Sequence, residues 1–490
     1  MAPKPTNSLR QSRRDCGSRA VIAIIRHLYC EFQLVSAEVK ERTMSTPAPL
    51  NSLQPGFRRV VARKILAHAG GDSFQAWTDG REAAIVSTNA GADALPFQRW
   101  HRFKEAFSPE LIEQAVQESP VPVRRLADPF GGSGTSALTC QFLGVRPVTI
   151  EVNPFLADLI AAKLATYHVP ELLSALTRVS RNATASRSRG SALIRALPAT
   201  FVEPGVKERW LFDFPVLVQI ARLREAIEAE SNPVVVRLFR VLLGGLMVGF
   251  SNASISGKGR RYRSNWQERR VDPACVLPTF ADAVAAAIVE IGACSTRPVR
   301  EGTVLHGDSR NLLAGVGPVD QITCSPPYPN SFDYTDVYNV ELWMLGYLTS
   351  FDDNRELRQS TLSSHVQISR DFAPAPRCRR LDKTMKALRQ AQGELWDPRI
   401  PAMVGAYFAD LQGLMRICAT LLPPKGQAWF VVGDSQYAGV HVQVAKVLAD
   451  LAPSTGLKVE RMKPFRSMRV SPQQSGRQQL SEDLVVFSRP

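Results

Sequence analysis

Asp128-Pro129-Phe130-Gly131-Gly132-Ser133-Gly134-Thr135 lies between an apolar run at 123–127 and a helical pattern at 136–143. Where a strand feeds a helix, glycines let the backbone take positive φ angles and approach a ligand with no side chain between. The stretch lacks the G-x-x-x-x-G-K-[ST] spacing of a phosphate-binding loop, which argues against a nucleoside triphosphate. Working outward, residues 147–150 read as a second strand, and Asn153-Pro154 starts a helix that runs through Leu164. Strand, glycine turn, helix, strand is the front half of a parallel, Rossmann-like sheet. Upstream, Ser108-Pro109-Glu110 opens another helix, with an apolar stripe at Leu111, Ile112, Ala115 and Val116.

The alternation then pauses. A minimal fold of this kind places its third strand a few residues on, yet the next strand pattern, Thr303–His306, comes roughly 140 residues later. Helical patterns at 171–176, 208–230, 233–250 and 278–291 fill the gap. The expected fold is therefore an α/β Rossmann-like sheet with a large helical insertion between strands 2 and 3. The most apolar stretch, 233–250, is interrupted by Arg237 and Arg240 and reads as a buried helix; no segment reads as a membrane span. Beyond the insertion, 321–324 and 428–432 read as strands, and 337–347, 402–422 and 440–451 as helices. Residues 457–464 and 484–488 suit a closing antiparallel pair. The Arg- and Pro-rich stretch 350–399 reads as loops plus a helix over the active face. The implied division is an extension at 1–43, a first catalytic half at 44–166, the insertion at 167–300 and a second half at 301–490. The extension is rich in Arg and Ser and reads either as a targeting peptide or as a segment preceding a start at Met44.

A second motif, Ser325-Pro326-Pro327-Tyr328, follows the strand at 321–324. Together, DPF-x-GSGT and SPPY resemble the N4-cytosine/N6-adenine (amino-) DNA methyltransferase family. The resemblance is close over 97–166 and 303–347. It is looser in the tail, from Tyr407 through Gly433-Asp434-Ser435 to 482–487. The glycine motif comes first and SPPY later, and the long insert precedes the third strand where that family usually places its target-recognition insert after it. The resemblance implies a class I S-adenosyl-L-methionine methyltransferase fold and that cofactor. Asp128, Pro129, Phe130, Gly131, Gly132, Ser133, Gly134 and Thr135 would pass under its methionine end, and Phe107 would pack against the same moiety. Glu151 would take the ribose hydroxyls and Asp308 would lie near the adenine. A carboxylate ending the second strand suits a ribose on general grounds; Glu151 and Asp308 also read as helix-capping acids.

In that family Ser325, Pro326, Pro327 and Tyr328 would be the catalytic set, and the chemistry suits them. An exocyclic amine on a base is a poor nucleophile because its lone pair is delocalised into the ring. Acceptors aimed at its N–H groups free that pair, and the Ser325 hydroxyl and the Pro326 carbonyl supply them on a backbone stiffened by proline. Tyr328 would stack on a base extruded from the duplex. Family members with Ser before Pro-Pro-Tyr mostly methylate cytosine N4, while Asp or Asn there indicates adenine N6. Carbon-5 methylation needs a Cys nucleophile in a Pro-Cys pair, and the sequence has no Pro-Cys dipeptide.

The formal charge of +15 favours a polyanionic partner, nucleic acid first and an anionic membrane second. Lys258, Arg260, Arg261, Tyr262, Arg263 and Trp266 interleave cations and aromatics, as phosphate contacts and base stacking require; the same run also reads as a solvated loop. Arg377-Cys378-Arg379-Arg380 is a second candidate patch. The eight cysteines are scattered without metal-ligand spacing, so no metal site is expected. The sequence thus predicts a cytoplasmic cytosine-N4 methyltransferase acting on double-stranded DNA with base flipping. It would stand alone or be paired with a separately encoded restriction endonuclease. The alternatives are adenine-N6 methylation, an RNA or protein amino-group methyltransferase, and a catalytically silent DNA-binding protein.

Overall fold

The computed structural model describes residues 73–490 apart from 80, 82–85, 87, 90, 104, 257, 258 and 469–479. The extension at 1–43 and Lys258 lie outside the described residues. The strands are β1 (Arg125–Asp128), β2 (Arg146–Glu151), β3 (Ala253–Ser256), β4 (Gly259–Tyr262), β5 (Thr303–His306), β6 (Gln321–Cys324), β7 (Gln427–Gly433), β8 (Ser435–Tyr437), β9 (Val440–Val442), β10 (Lys458–Met468) and β11 (Leu480–Ser488). Leu126 and Ala127 of β1 point to opposite faces and are both buried, as is every residue of β6. Strands apolar on both faces belong inside a parallel sheet covered by helices on each side.

Seven of them form one sheet in the order β10-β11-β7-β6-β1-β2-β5. The five strands from β7 to β5 pair in parallel, and only β11 runs against them, between β7 and β10. Counting sheet strands alone in chain order, with β5, β6, β7, β10 and β11 as strands 3 to 7, the order from the β5 edge is 3-2-1-4-5-7-6. That is the expected Rossmann-like α/β sheet, with its insertion between strands 2 and 3. The order reverses between β1 and β6. In open α/β sheets ligands bind beyond the carboxyl ends of the strands at such a switch point. The glycine loop leaves β1 and SPPY leaves β6, so topology alone brings the two motifs face to face.

The insertion carries the helices Val169–Ala185, Phe214–Glu228, Pro233–Phe250 and Val276–Ala293. It is no appended lobe. Leu172, Ile220, Leu242 and Val284 share one apolar cluster with Phe155 and Leu159 of the helix after β2. Trp77, Trp100 and Leu345, from before β1 and after β6, join the same cluster. Glu290 fastens it, accepting from the Phe97 amide at 2.7 Å and the Trp100 indole at 2.9 Å and pairing with Arg99 at 2.7 Å. Two segments here, Pro233–Phe250 and Pro273–Ala293, are long and apolar enough by composition to cross a membrane, and both pack into this core.

Four details differ from the sequence reading. The helix expected at 208–230 begins at Phe214, because Pro215 sets its first turn and Phe212 bridges back to Val202. The basic run read as a loop is a strand, β4, paired antiparallel with β3. The helix expected at 337–347 is two short ones, Tyr334–Val337 and Asn339–Met344. The helix expected at 440–451 starts only at Val444. Ala438 and Gly439 both take positive φ (45° and 76°), which closes the hairpin β8–β9 ahead of it.

Candidate active site

Phe107, Asp128, Pro129, Phe130, Gly131, Gly132, Ser133, Thr135, Glu151, Asp308 and all four residues of SPPY line a single cleft of about 560 Å³. Gly134 sits behind the loop against Ile160. The glycines have separate geometric reasons. A Cβ on Gly131 would stand 2.4 Å from the Thr149 hydroxyl and 2.8 Å from Ile160, so only glycine lets the loop lie down on the sheet. Gly132 has φ +52°, the left-handed region that glycine adopts freely.

The loop is held by acids. Asp128 accepts from the Phe130 amide at 2.9 Å and from the Ser136 hydroxyl. Glu151 accepts from the Gly132 amide at 2.7 Å and the Asn153 amide at 2.8 Å. Both carboxyls are buried with no cation paired to them among the described residues. Burial pushes Asp128 up to about 6 and Glu151 up to about 7, the hydrogen bonds opposing it only in part. Beneath the loop lies Lys163, fully buried, donating to the Ser133 carbonyl at 2.7 Å and to Gln98 at 3.0 Å; burial lowers it to about 7. Asp308 caps the short helix Ser309–Leu312 through the Arg310 amide at 2.9 Å, and the Arg310 guanidinium grips it at 2.7–3.1 Å. It is thus a helix cap and an ion-pair partner that also faces the cleft.

Across the cleft, Tyr328 donates its phenol to Glu482 of β11 at 2.8 Å, and Ser325 Oγ lies 3.4 Å from Tyr328 Oη. Arg466 of β10 grips Glu482 at 2.6 and 3.1 Å. Tyr437 of β8 donates to the Pro329 carbonyl at 2.8 Å and braces the loop from the side. Glu482, Arg466 and Lys163 were missed by sequence reasoning. Nothing local marks them, since Glu482 lies 154 residues from Tyr328 and meets it only through the sheet.

The cations proposed to contact nucleic acid lie outside the cleft lining. β4 packs against the helix Tyr334–Val337, whose Tyr334 and Thr335 do line the cleft. Arg260 donates to Asn339. Arg263 donates to the carbonyls of Val248 (3.2 Å) and Ser251 (3.4 Å), and neighbouring Arg269 to those of Ser251 (2.5 Å) and Gly249 (2.6 Å). These carbonyls lie at the end of the helix Pro233–Phe250, where cations satisfy acceptors that the helix leaves over. Trp266 is buried against Trp210 and Tyr262, at ring distances of 5.2 and 5.1 Å. Among Arg260, Arg261 and Arg263, Arg261 alone is exposed. In the second patch Arg377 and Arg379 are exposed, Cys378 is buried and Arg380 pairs with Asp450 at 2.9 Å; the helix Arg379–Gln390 adds Lys383, Lys386 and Arg389, all exposed. Among the described residues no three His, Cys, Asp or Glu side chains cluster to hold a metal.

No family model matches the chain. The type II methyltransferase M.AvaI of Nostoc sp. is 26% identical over 449 residues, 83% of this chain and 89% of its own length. M.BsoBI of Geobacillus stearothermophilus, also a type II methyltransferase, is 22% identical over 498 residues, 90% of this chain and 94% of its own. A solved structure, the rRNA methyltransferase aviRa from Streptomyces viridochromogenes, matches 78% of this chain and 86% of its own at 12% identity and a TM-score of 0.24, from which nothing about this chain follows. The two matches cover 83% and 90% of this chain. The chain is a distant homologue of the type II methyltransferases M.AvaI and M.BsoBI.

Proposed function

We propose that this chain is the methyltransferase of a restriction-modification pair, transferring a methyl group from S-adenosylmethionine to the N4 amino group of cytosine in duplex DNA. The carrying observation is that two buried carboxyls, with no cation paired to them among the described residues, and the Ser325 hydroxyl line one cleft at the switch point of the sheet. The residues present fit that cofactor. Glu151 is an acceptor suited to a ribose diol, and Asp128 lies where the loop backbone approaches closely. Phe107, Phe130 and Leu156 supply apolar wall. When bound, the cofactor supplies a methyl group already activated on a sulfonium sulfur. What remains for the protein is positioning.

Ser325 and the Pro326 carbonyl accept from the two amine N–H groups, draw the nitrogen toward tetrahedral geometry and release its lone pair for attack. The rigid Pro326-Pro327 backbone fixes both acceptors. The Tyr328 ring, tethered by its hydroxyl, offers a face to an extruded base. Ser at 325 in place of Asp or Asn favours cytosine over adenine as the target. The duplex itself is held through the exposed cations of the helix Arg379–Gln390 and through Arg261. Both elements approach the SPPY loop, one by way of the β8–β9 hairpin and the other by way of the helix Tyr334–Val337.

Incubation with methyl-labelled cofactor and either duplex DNA, transfer RNA or a protein extract tests the reading. Label in DNA is expected. Label confined to RNA or protein overturns it, and DNA binding with no transfer assigns a silent DNA-binding protein instead. Ser325→Ala is expected to abolish transfer and leave cofactor binding unchanged; lost cofactor binding would contradict this division of roles.

A further inference from the structure

We infer that Glu482 is the positioning residue that fixes the direction of the hydrogen bonds in the SPPY loop, so that the Ser325 oxygen always meets the target amine as an acceptor. The inference rests on the amino-methyltransferase reading above and names a residue that reading does not require.

Glu482 is buried, with its side chain 3% exposed, and Arg466 supplies the opposite charge on both of its oxygens. An ionised carboxylate has acceptors only, so Tyr328 must donate its single hydroxyl proton to it. The Tyr328 oxygen then has only lone pairs left for its other neighbour, Ser325 Oγ, 3.4 Å away. Ser325 in turn directs its one proton at Tyr328. Its lone pairs are left for the cleft. An amine N–H entering there finds an acceptor in place.

Reversing the chain shows what Glu482 prevents. If Tyr328 donated to Ser325, the serine proton would be free to point at the amine nitrogen and tie up the lone pair that must attack. Burial and then the Glu482 charge hold the Tyr328 phenol well above its ordinary range, so it keeps the proton it donates.

Glu482→Gln keeps the side-chain shape but adds an N–H donor, which allows the chain to run backwards. Single-turnover methyl transfer is expected to fall roughly 10- to 100-fold, the worth of a hydrogen bond to a charged group. Cofactor and DNA dissociation constants should stay at wild-type values. Tyr328→Phe, which leaves the Glu482–Arg466 pair intact, should lose a similar factor, and the double variant should be no slower than the slower single one. Independently of turnover, the ionisation of Tyr328, followed by NMR on ring-labelled tyrosine, should move to lower pH in Glu482→Gln. A full transfer rate in Glu482→Gln, additive losses in the double variant, or a loss matched by weakened cofactor binding would each overturn the inference. If wild-type protein transfers no methyl group to DNA, the parent reading fails; if wild type and Glu482→Gln methylate DNA equally fast, only the inference fails.

Discussion

The hairpin β3–β4 with its following turn and the helix Arg379–Gln390 are both strongly basic in sequence, and the fold uses them in opposite ways. Arg263 and Arg269 close the carbonyl end of the helix Pro233–Phe250, Arg260 is tied to Asn339, and Trp266 is packed away. In the other region Leu381, Met385 and Leu388 form the buried stripe. Arg379, Lys383 and Lys386, at i, i+4 and i+7, share the outward face; Arg380 alone pairs, with Asp450 at 2.9 Å. Charge read from a sequence counts cations, and only the fold says which are free. The acids divide the same way: Glu482 has Arg466, while Asp128 and Glu151 have backbone amides and a hydroxyl but no cation among the described residues.

The comparison breaks most visibly if the two regions are exchanged in an experiment. Arg263→Ala with Arg269→Ala removes the partners of the helix-end carbonyls, that of buried Ser251 among them. It should cost about 2–4 kcal/mol of stability in urea denaturation, with DNA affinity of the folded protein little altered. Arg379→Gln, Lys383→Gln and Lys386→Gln together should do the reverse. Duplex affinity should fall about 10- to 100-fold and the slope of log K against log salt by about 2–3, with stability within about 0.5 kcal/mol of wild type. A stable hairpin variant that loses DNA, or a helix variant that keeps its salt slope, would invert the assignment.

The unpaired acids give a smaller effect with a definite sign. Carboxyls raised to about 6 and about 7 bind more protons folded than unfolded. The free protein should therefore lose stability as pH rises from about 4.5 to about 7. A ribose diol donating to ionised Glu151 should bind more weakly as pH falls through 7, by up to about tenfold per unit from that one group. Calorimetric titration of the cofactor between pH 6 and 8 reads this directly, and Glu151→Gln should flatten it. A pH-independent affinity in wild type would remove Glu151 from the role proposed. Smallest of all, Arg261→Gln alone should change the salt slope by about 1 or less.

The sheet and the two motifs were legible because their signals are local. Glycines at a strand-to-helix turn and short apolar runs of four to seven residues carry their structural meaning with them. Lys163 shows the limit: nothing in the sequence around it tells that this lysine, in the last turn of the helix Pro154–Leu164, lies fully buried beneath Ser133. Glu482 is further from reach. Its place under Tyr328 depends on β11 entering antiparallel beside β7, with Glu482 opposite Gly433, a register set by the whole tail. The hairpin β3–β4 escaped because Gly-Arg-Arg-Tyr of β4 shows no alternation, and the four residues of β3 are too few to mark a strand by themselves.

Nucleoside mass spectrometry of duplex DNA, digested after incubation with the protein and S-adenosylmethionine, tests the account most directly. N4-methylcytosine should form with wild-type protein and be absent with Ser325→Ala at unchanged cofactor binding. N6-methyladenine in its place, or no methylated nucleoside at all, would contradict it.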